Sequence, residues 1–320
     1  PTRTPQAQAQ ALAAPVDLRG EFRTGPFARR ADFRRWSGQL FAQLDYVDLA
    51  GVNQWVHAPI NVGRASGAMR AWMRFDAFEI VGTTADLALK DVDARLAPDL
   101  QPLKMSSFQG RVTQSRWGDE GRGGQRLELI GVTFDLASGA RFPPLDLSYR
   151  YTRATGNRPQ QFELEGSRID LASLAGIATH VPLGASIRQT ITRYAPRGRL
   201  SEVSMSWEGT EPEWSTLTAK ARFDQLSLAA QPAAEGAKVG TPGFERLSGN
   251  VHLDRGAATL QLAARDAVIE FPGVFEEPRL AFNQLQADVK WKPGERPEAR
   301  IDALLLENAD LSISASGIWR

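Results

Sequence analysis

The chain has 320 residues, 42% hydrophobic and 23% charged, with 38 Lys+Arg against 37 Asp+Glu and no cysteine. That is enough to bury a core but too polar for a chain of membrane spans, and a net charge of +1 lacks the field of a dedicated nucleic-acid binder. Without cysteine there are no thiol nucleophiles, disulfides or Cys-ligated zinc and iron–sulfur sites, and 3 histidines leave little for a His-rich metal site.

Residues 1–15, with Pro5 followed by alternating Gln and Ala, read as a linker: there is neither the basic start nor the apolar centre of a signal peptide. Next comes a basic stretch. Arg19, Arg23, Arg29, Arg30, Arg34 and Arg35 are interleaved with Phe22, Phe27, Phe33 and Trp36, a pattern that could meet anionic head groups or nucleic acid. Arginine is this chain's habitual cation, however, and a solvated strand face explains the stretch as well.

From there the dominant signal is period-2 alternation in short runs: Met69 to Phe75, Arg126 to Ile130, Val203 to Trp207, Asn250 to Asp254, Thr259 to Leu262 and Asp288 to Trp291. These predict half-buried strands. Between them stand turn formers, including the Gly118–Gly124 loop, Gly156-Asn157, Pro272-Gly273 and Pro293-Gly294, so the sheet is expected to be largely antiparallel. The Gly118–Gly124 loop has no following Gly-Lys-Ser/Thr and no helical pattern, so it reads as a hairpin turn, not a phosphate cradle.

Two segments have helical spacing instead. Leu49, Val52 and Val56 follow Asp48, and Leu171, Leu174 and Ala178 follow Asp170, each Asp in the place of an N-cap. His57 and His180 come just before a proline at the ends of these segments, where a ring N–H can bond terminal carbonyls. The longest uncharged stretch, Leu171 to Ile187, is broken by Gly176, Pro182 and Gly184 and is too short to cross a bilayer. Between Gly184 and Pro196, Ile187, Ile191 and Tyr194 form an amphipathic helical stripe, expected to pack on the sheet or to cover an open apolar groove.

The two helical segments align, Asp48-Leu-Ala on Asp170-Leu-Ala and Pro59-Ile60 on Pro182-Leu183, and Phe108-Gln-Gly-Arg-Val112 aligns on Leu247-Ser-Gly-Asn-Val251 further on. The order suggests two diverged copies of one strand–helix–strands unit, at roughly 36–155 and 159–292, with a third beginning near Ala299. The organisation expected is a linker at 1–15, a first repeat with leading strands at 16–158, a second at 159–298 and the start of a third at 299–320, within a longer chain.

No G-x-S-x-G, no H-E-x-x-H and no spaced carboxylate pair occurs; Asp119-Glu120 and Glu276-Glu277 lie in turn-like contexts, and His252 belongs to the polar side of a strand. No catalysis, metal or cofactor is expected. Ten residues share strand parity and form the candidate lining of a concave apolar face: Met69, Met73, Phe75, Val203, Met205, Trp207, Val251, Leu253, Leu260 and Leu262.

One ordered series of residues resembles a known family. Ile169-Asp-Leu-Ala-Ser-Leu-Ala175, Pro182-Leu183, Ala195-Pro-Arg-Gly-Arg-Leu200, Trp207-Glu-Gly209, Pro242-Gly-Phe-Glu-Arg-Leu-Ser-Gly249, Phe271-Pro-Gly-Val-Phe275, Val289-Lys-Trp291 and Leu306-Glu-Asn-Ala-Asp310 are similar to the central region of the YhdP-type AsmA-like proteins, over about 36–320. The resemblance implies an elongated, curved, mainly β protein built from repeated β-groove units. It further implies a periplasmic protein, tethered to the inner membrane by a helix outside these residues, that carries phospholipid acyl chains towards the outer membrane. Envelope proteins of both membranes would be its partners, with no catalytic residues, no cofactor and no nucleic acid. The alternative is a non-catalytic scaffolding β-solenoid with a dry core.

Overall fold

The computed structural model describes residues 16–24, 36–48, 61–77, 79–118, 123–210, 213, 215–236 and 238–320. Among them sixteen strands form one open, antiparallel sheet, joined in sequence order apart from one two-residue strand on a side branch. The chain divides into two compact units, Pro1–Pro144 and Leu145–Arg320.

Unit 1 holds β1 (Val16–Thr24), β2 (Trp36–Asp48), β3 (Asn61–Asp76), β4 (Glu79–Arg95), β5 (Leu103–Trp117) and β6 (Gly124–Leu136), each paired with the next, and the start of β7 (Arg141–Thr152). The Gly118–Gly124 segment does join a hairpin, since Trp117 pairs with Gly124. Unit 2 continues with β8 (Gln161–Ser167), the short β9 (Ile169–Asp170), α1 (Leu171–Gly176) and α2 (Ala185–Tyr194). It then runs through β10 (Arg197–Glu208), β11 (Thr218–Leu228), β12 (Gly243–Asp254), β13 (Ala257–Glu270), β14 (Arg279–Lys292), β15 (Glu298–Glu307) and β16 (Ser312–Trp319).

The strands are longer than the alternating runs that announce them. The run Val203 to Trp207 is the second half of a 12-residue strand, and Thr259 to Leu262 sits inside one of 14. The cause is a set of β-bulges. Asp91, Glu202, Gln225, Arg246 and Asp266 have φ of 52°, 52°, 52°, 60° and 54°, left-handed values uncommon for these residue types. Those at 202, 225 and 246 lie within shifts of the ladder register. A bulge inserts one residue, so apolar side chains on one face step by three across it, as at Leu89 and Val92 or Phe223 and Leu226. The period-2 signal therefore stops where the strand does not.

The freed amides find partners. The Gln225 N–H donates to Ser248 Oγ at 3.1 Å and the Arg246 N–H to Ser227 Oγ at 3.1 Å, while the Ser248 hydroxyl donates to Asp224. The bulges at Gln225 and Arg246 are thus each stapled to the neighbouring strand by a serine.

Burial is shallow. Ala65 and Ala267 are fully enclosed, yet no large side chain among the described residues is. In unit 2 a cluster of Phe223, Leu247, Ala264, Ala267 and Leu285 forms the core, flanked by half-buried Leu200, Phe244, Leu262 and Leu306.

Candidate functional site

Residues directly opposite in an antiparallel ladder share a face, so the register sorts every strand position to one side of the sheet. In unit 1, Leu44 faces Met69 and Met69 faces Leu87; Ala42, Ala71, Ala85, Val112 and Leu129 form the next row, then Leu40, Met73 and Thr83; Gly38 faces Phe75. This side is apolar and half-buried. Towards the far end of the strands it becomes closed, with Leu89, Val92, Leu103, Met105, Phe134 and Phe142 all buried and the Phe134 and Phe142 rings stacked at 4.1 Å.

The reverse side of the same strands carries Arg70, Arg74, Asp86 and Arg111. Asp86 accepts two hydrogen bonds from Arg111, at 2.6 and 3.0 Å, and lies 3.3 Å from Arg70. The Arg111 hydrogen bond holds the Asp86 carboxyl below its ordinary range, and its charge adds to the effect. Trp72 is on this side too, paired with Phe41 at 5.3 Å. In the basic stretch, the described arginines Arg19 and Arg23 are bonded to Asp17 and Glu21 two residues away. Arg29, Arg30, Arg34, Arg35, Phe27 and Phe33 lie outside the described residues.

Unit 2 is sided in the same way. Tyr151, Phe162 and Trp207 form one row, Tyr149, Leu164, Met205, Ala219 and Leu253 the next, and Val203 shares their face opposite Gly166. Further along, Val251, Leu260, Val289 and Ile301 align, as do Leu262 with Ala287 and Leu304, and Ala264 with Leu285 and Leu306. The other side holds Ser204, Ser206, Lys220, Arg222, Asn250, His252, Gln261 and Asp288. Seven of the sequence-derived lining residues, Val203, Met205, Trp207, Val251, Leu253, Leu260 and Leu262, are thus on the apolar face of unit 2. The other three, Met69, Met73 and Phe75, are on that of unit 1. Val203 is buried and the other nine are half-buried.

Sequence reasoning missed much of this face: Leu40, Leu44 and Leu87 in unit 1, and Tyr149, Tyr151, Phe162, Leu285, Leu304 and Leu306 in unit 2. For Leu147-Ser-Tyr-Arg-Tyr151 and Phe162-Glu-Leu164 the signal was present as plain alternation. For Phe282 and Leu285 it was not, because they step by three on one face of β14 while facing the bulged stretch of β13.

The helices sit between β9 and β10. Asp170 is the N-cap of α1, its carboxylate accepting from the Ser173 N–H at 2.8 Å. His180 lies in the turn that follows, where its backbone N–H donates to the Ile177 carbonyl. The matching helix after Asp48, with Leu49, Val52, Val56 and His57, lies outside the described residues. α2 covers the predicted stripe but buries none of its residues: Ile187 is 36% exposed, Ile191 and Tyr194 half-buried. Its C-terminus is tied down by the Gln231 side chain on the Arg193 carbonyl and the Ala229 N–H on that of Tyr194.

A depression of about 710 Å³ in unit 2 is lined in part by Asp288 and Asp302 on adjacent strands. Asp302 accepts from Lys290 at 2.6 Å and Arg300 at 2.5 Å, which holds its carboxyl below the ordinary range. Among the described residues no cluster of three or more His, Asp or Glu could hold a metal, and no helix is long and apolar enough to cross a membrane.

Residues 4–318 match the model of a protein family described as YhdP protein. Neither a curated protein nor a solved structure matches the chain.

Proposed function

The chain belongs to the YhdP protein family, and from that premise and the one-sided sheet we propose that it is a segment of a lipid-transfer protein shielding phospholipid acyl chains. In this reading it works in the periplasm, tethered to the inner membrane by a helix outside these residues, and it supports the outer-membrane barrier by carrying phospholipid between the membranes. The observation that carries the reading is the apolar face itself. In each unit, one side of consecutive strands is lined almost wholly by Leu, Val, Ile, Met, Ala and aromatic side chains, most of them only half-buried.

The energetics fit such a task. Exposing an acyl chain of fifteen methylenes to water costs about 12 kcal/mol at ~0.8 kcal/mol per CH₂, so unassisted desorption is slow. A sheet with one apolar side removes most of that cost, and neighbouring strands about 4.8 Å apart offer it in small, equivalent steps. In this reading the Ile187, Ile191 and Tyr194 stripe of α2 serves to cover the groove. The family is not known as an enzyme family, and the reading asks for no chemical step.

Native mass spectrometry of the purified chain tests the proposal. Adducts at glycerophospholipid masses, lost on collisional activation, are expected. A chain that emerges free of lipid and takes up none from phospholipid vesicles would contradict it.

A further inference from the structure

Strands of unit 2 alternate in direction, so their ends lie at two rims. One rim gathers the ends of β7, β10, β12, β14 and β16; the other gathers the starts of β10, β12, β14 and β16, next to the helices. Every Trp and Tyr on the strands of this unit lies in the half towards the first rim. Tyr149 and Tyr151 precede the end of β7 at Thr152, Trp207 the end of β10 at Glu208 and Trp291 the end of β14 at Lys292, while Trp319 is itself the end of β16.

All five are on the apolar face by register, Tyr151 with Phe162 and Trp207, Trp291 with Ala299, and Ala299 with Trp319. Their rings meet, Phe162 stacking on Trp207 at 5.2 Å and Trp291 on Trp319 at 6.4 Å. Towards the other rim the same face carries side chains with no polar atom, Phe244, Leu247, Ala267 and Phe282, the last three at most 6% exposed. Taken by itself, unit 1 has Phe22, Trp36 and Phe75 at the corresponding strand ends, with Phe22 6.0 Å from Trp36 and 6.4 Å from Phe75.

Rings with an apolar body and one polar atom collect where an apolar medium meets a polar one, and a buried indole N–H ordinarily finds an acceptor. Trp207 Nε1 is shielded from solvent, so the indoles open to a ligand are those further along the rim. Trp291 and Trp319 are 37% and 61% exposed at the same rim.

We propose that the Trp/Tyr rim is the headgroup rim. A glycerophospholipid lies along the strands with its acyl chains towards Phe244 and Phe282, and its ester and phosphate oxygens accept hydrogen bonds from the exposed Trp291 and Trp319. This rests on the lipid-transfer reading and adds to it an orientation and a set of polar contacts. The room is sufficient: from Trp291 to Phe282 the strand rises about 30 Å, whereas the hydrocarbon depth of one leaflet is about 15 Å. Lipid would then move across the strands with its headgroup following one rim.

The test loads the full-length chain with two glycerophospholipid probes, one with a diazirine on the headgroup and one with a diazirine at the end of an acyl chain, and maps adducts by peptide mass spectrometry. Headgroup adducts are expected near Trp207, Trp291 and Trp319, and acyl-end adducts near Phe244, Leu247 and Phe282. In Trp291→Phe with Trp319→Phe, which keep an aromatic ring and remove both N–H donors, headgroup adducts should fall about thirtyfold, the loss of two ordinary hydrogen bonds. Acyl-end adducts should stay unchanged, and Tyr at both positions should restore the headgroup signal. Headgroup adducts at Phe244 or Phe282, or spread over both rims, would overturn the orientation while leaving lipid binding intact. No adduct from either probe would overturn the lipid-transfer reading and this inference with it.

Discussion

Asp170 shows how a single side chain defines a local structure. Its carboxylate satisfies the Ser173 N–H, one of the amides that the first turn of a helix leaves unpaired. Asp170→Ala should therefore cost about 0.5–2 kcal/mol, read as a lower midpoint in a urea melt, with no effect on lipid binding. Ser248 acts on a bulge in the same manner. Ser248→Ala removes both the acceptor for Gln225 N–H and the donor to Asp224, and about 1 kcal/mol of destabilisation is expected in the same melt. Ser→Ala at exposed Ser312, whose hydroxyl bonds only Glu307 at 3.3 Å, is the control and should change the midpoint little.

Asp86 makes a pH-dependent contribution whose sign is fixed by Arg111. Its folded pKa lies below its unfolded value, so the stabilisation is fully present above about pH 4 and is lost as pH falls through the folded pKa. Asp86→Asn removes it at every pH. The stability gap between wild type and Asp86→Asn should be largest near neutrality and close in acid, and a gap that widens in acid would contradict the assignment.

At the scale of elements, the sequence is most legible where one residue type has one job. The α2 stripe Ile187, Ile191 and Tyr194 sits between Gly184 at the N-cap and Ala195 in the left-handed region, and the helix runs from Ala185 to Tyr194. Strand centres were legible through alternation, and the antiparallel order through turns such as Pro272-Gly273. Strand ends were not, because the bulges at Gln225, Arg246 and Asp266 shift the alternation by one residue and no glycine or proline marks them. The breadth of the apolar face was hidden for a related reason. Ala71, Ala85, Ala219 and Ala287 contribute to it without announcing themselves as hydrophobic anchors.

Close strand approach adds a further constraint. At Gly110, φ is 146° and a Cβ would fall 2.7 Å from the Val132 Cα, within β6. Gly249, which the repeat alignment pairs with Gly110, would put a Cβ 2.0 Å from the Gln261 carbonyl oxygen. Gly110→Ala should destabilise unit 1 by about 1–3 kcal/mol, because backbone rather than a flexible side chain must move. Urea unfolding followed by Phe and Trp fluorescence would register it, and an unchanged midpoint would show that β5 and β6 separate freely.

For the molecule as a whole, the two readings of the apolar face differ in where a charge can be tolerated. On an open, partly wet face an ionised carboxylate keeps its water until an acyl chain lies over it, and the penalty of several kcal/mol falls on the loaded state. In a closed core the same charge has no water to keep and the protein unfolds. The half-burial of Met205 and Leu253, both on the apolar face of unit 2, favours the first case. The most direct measurement is photo-crosslinking in cells from a reactive residue at position 253, made with and without Met205→Glu and paired with circular dichroism of the purified variant. The account predicts phospholipid adducts at 253 that disappear in the folded Met205→Glu chain. A folded wild-type chain without adducts at 253 would show that lipid does not travel over this face, adducts that persist in a folded Met205→Glu chain would show that its path does not cross position 205, and an unfolded variant would mark the face as the dry core of a scaffold.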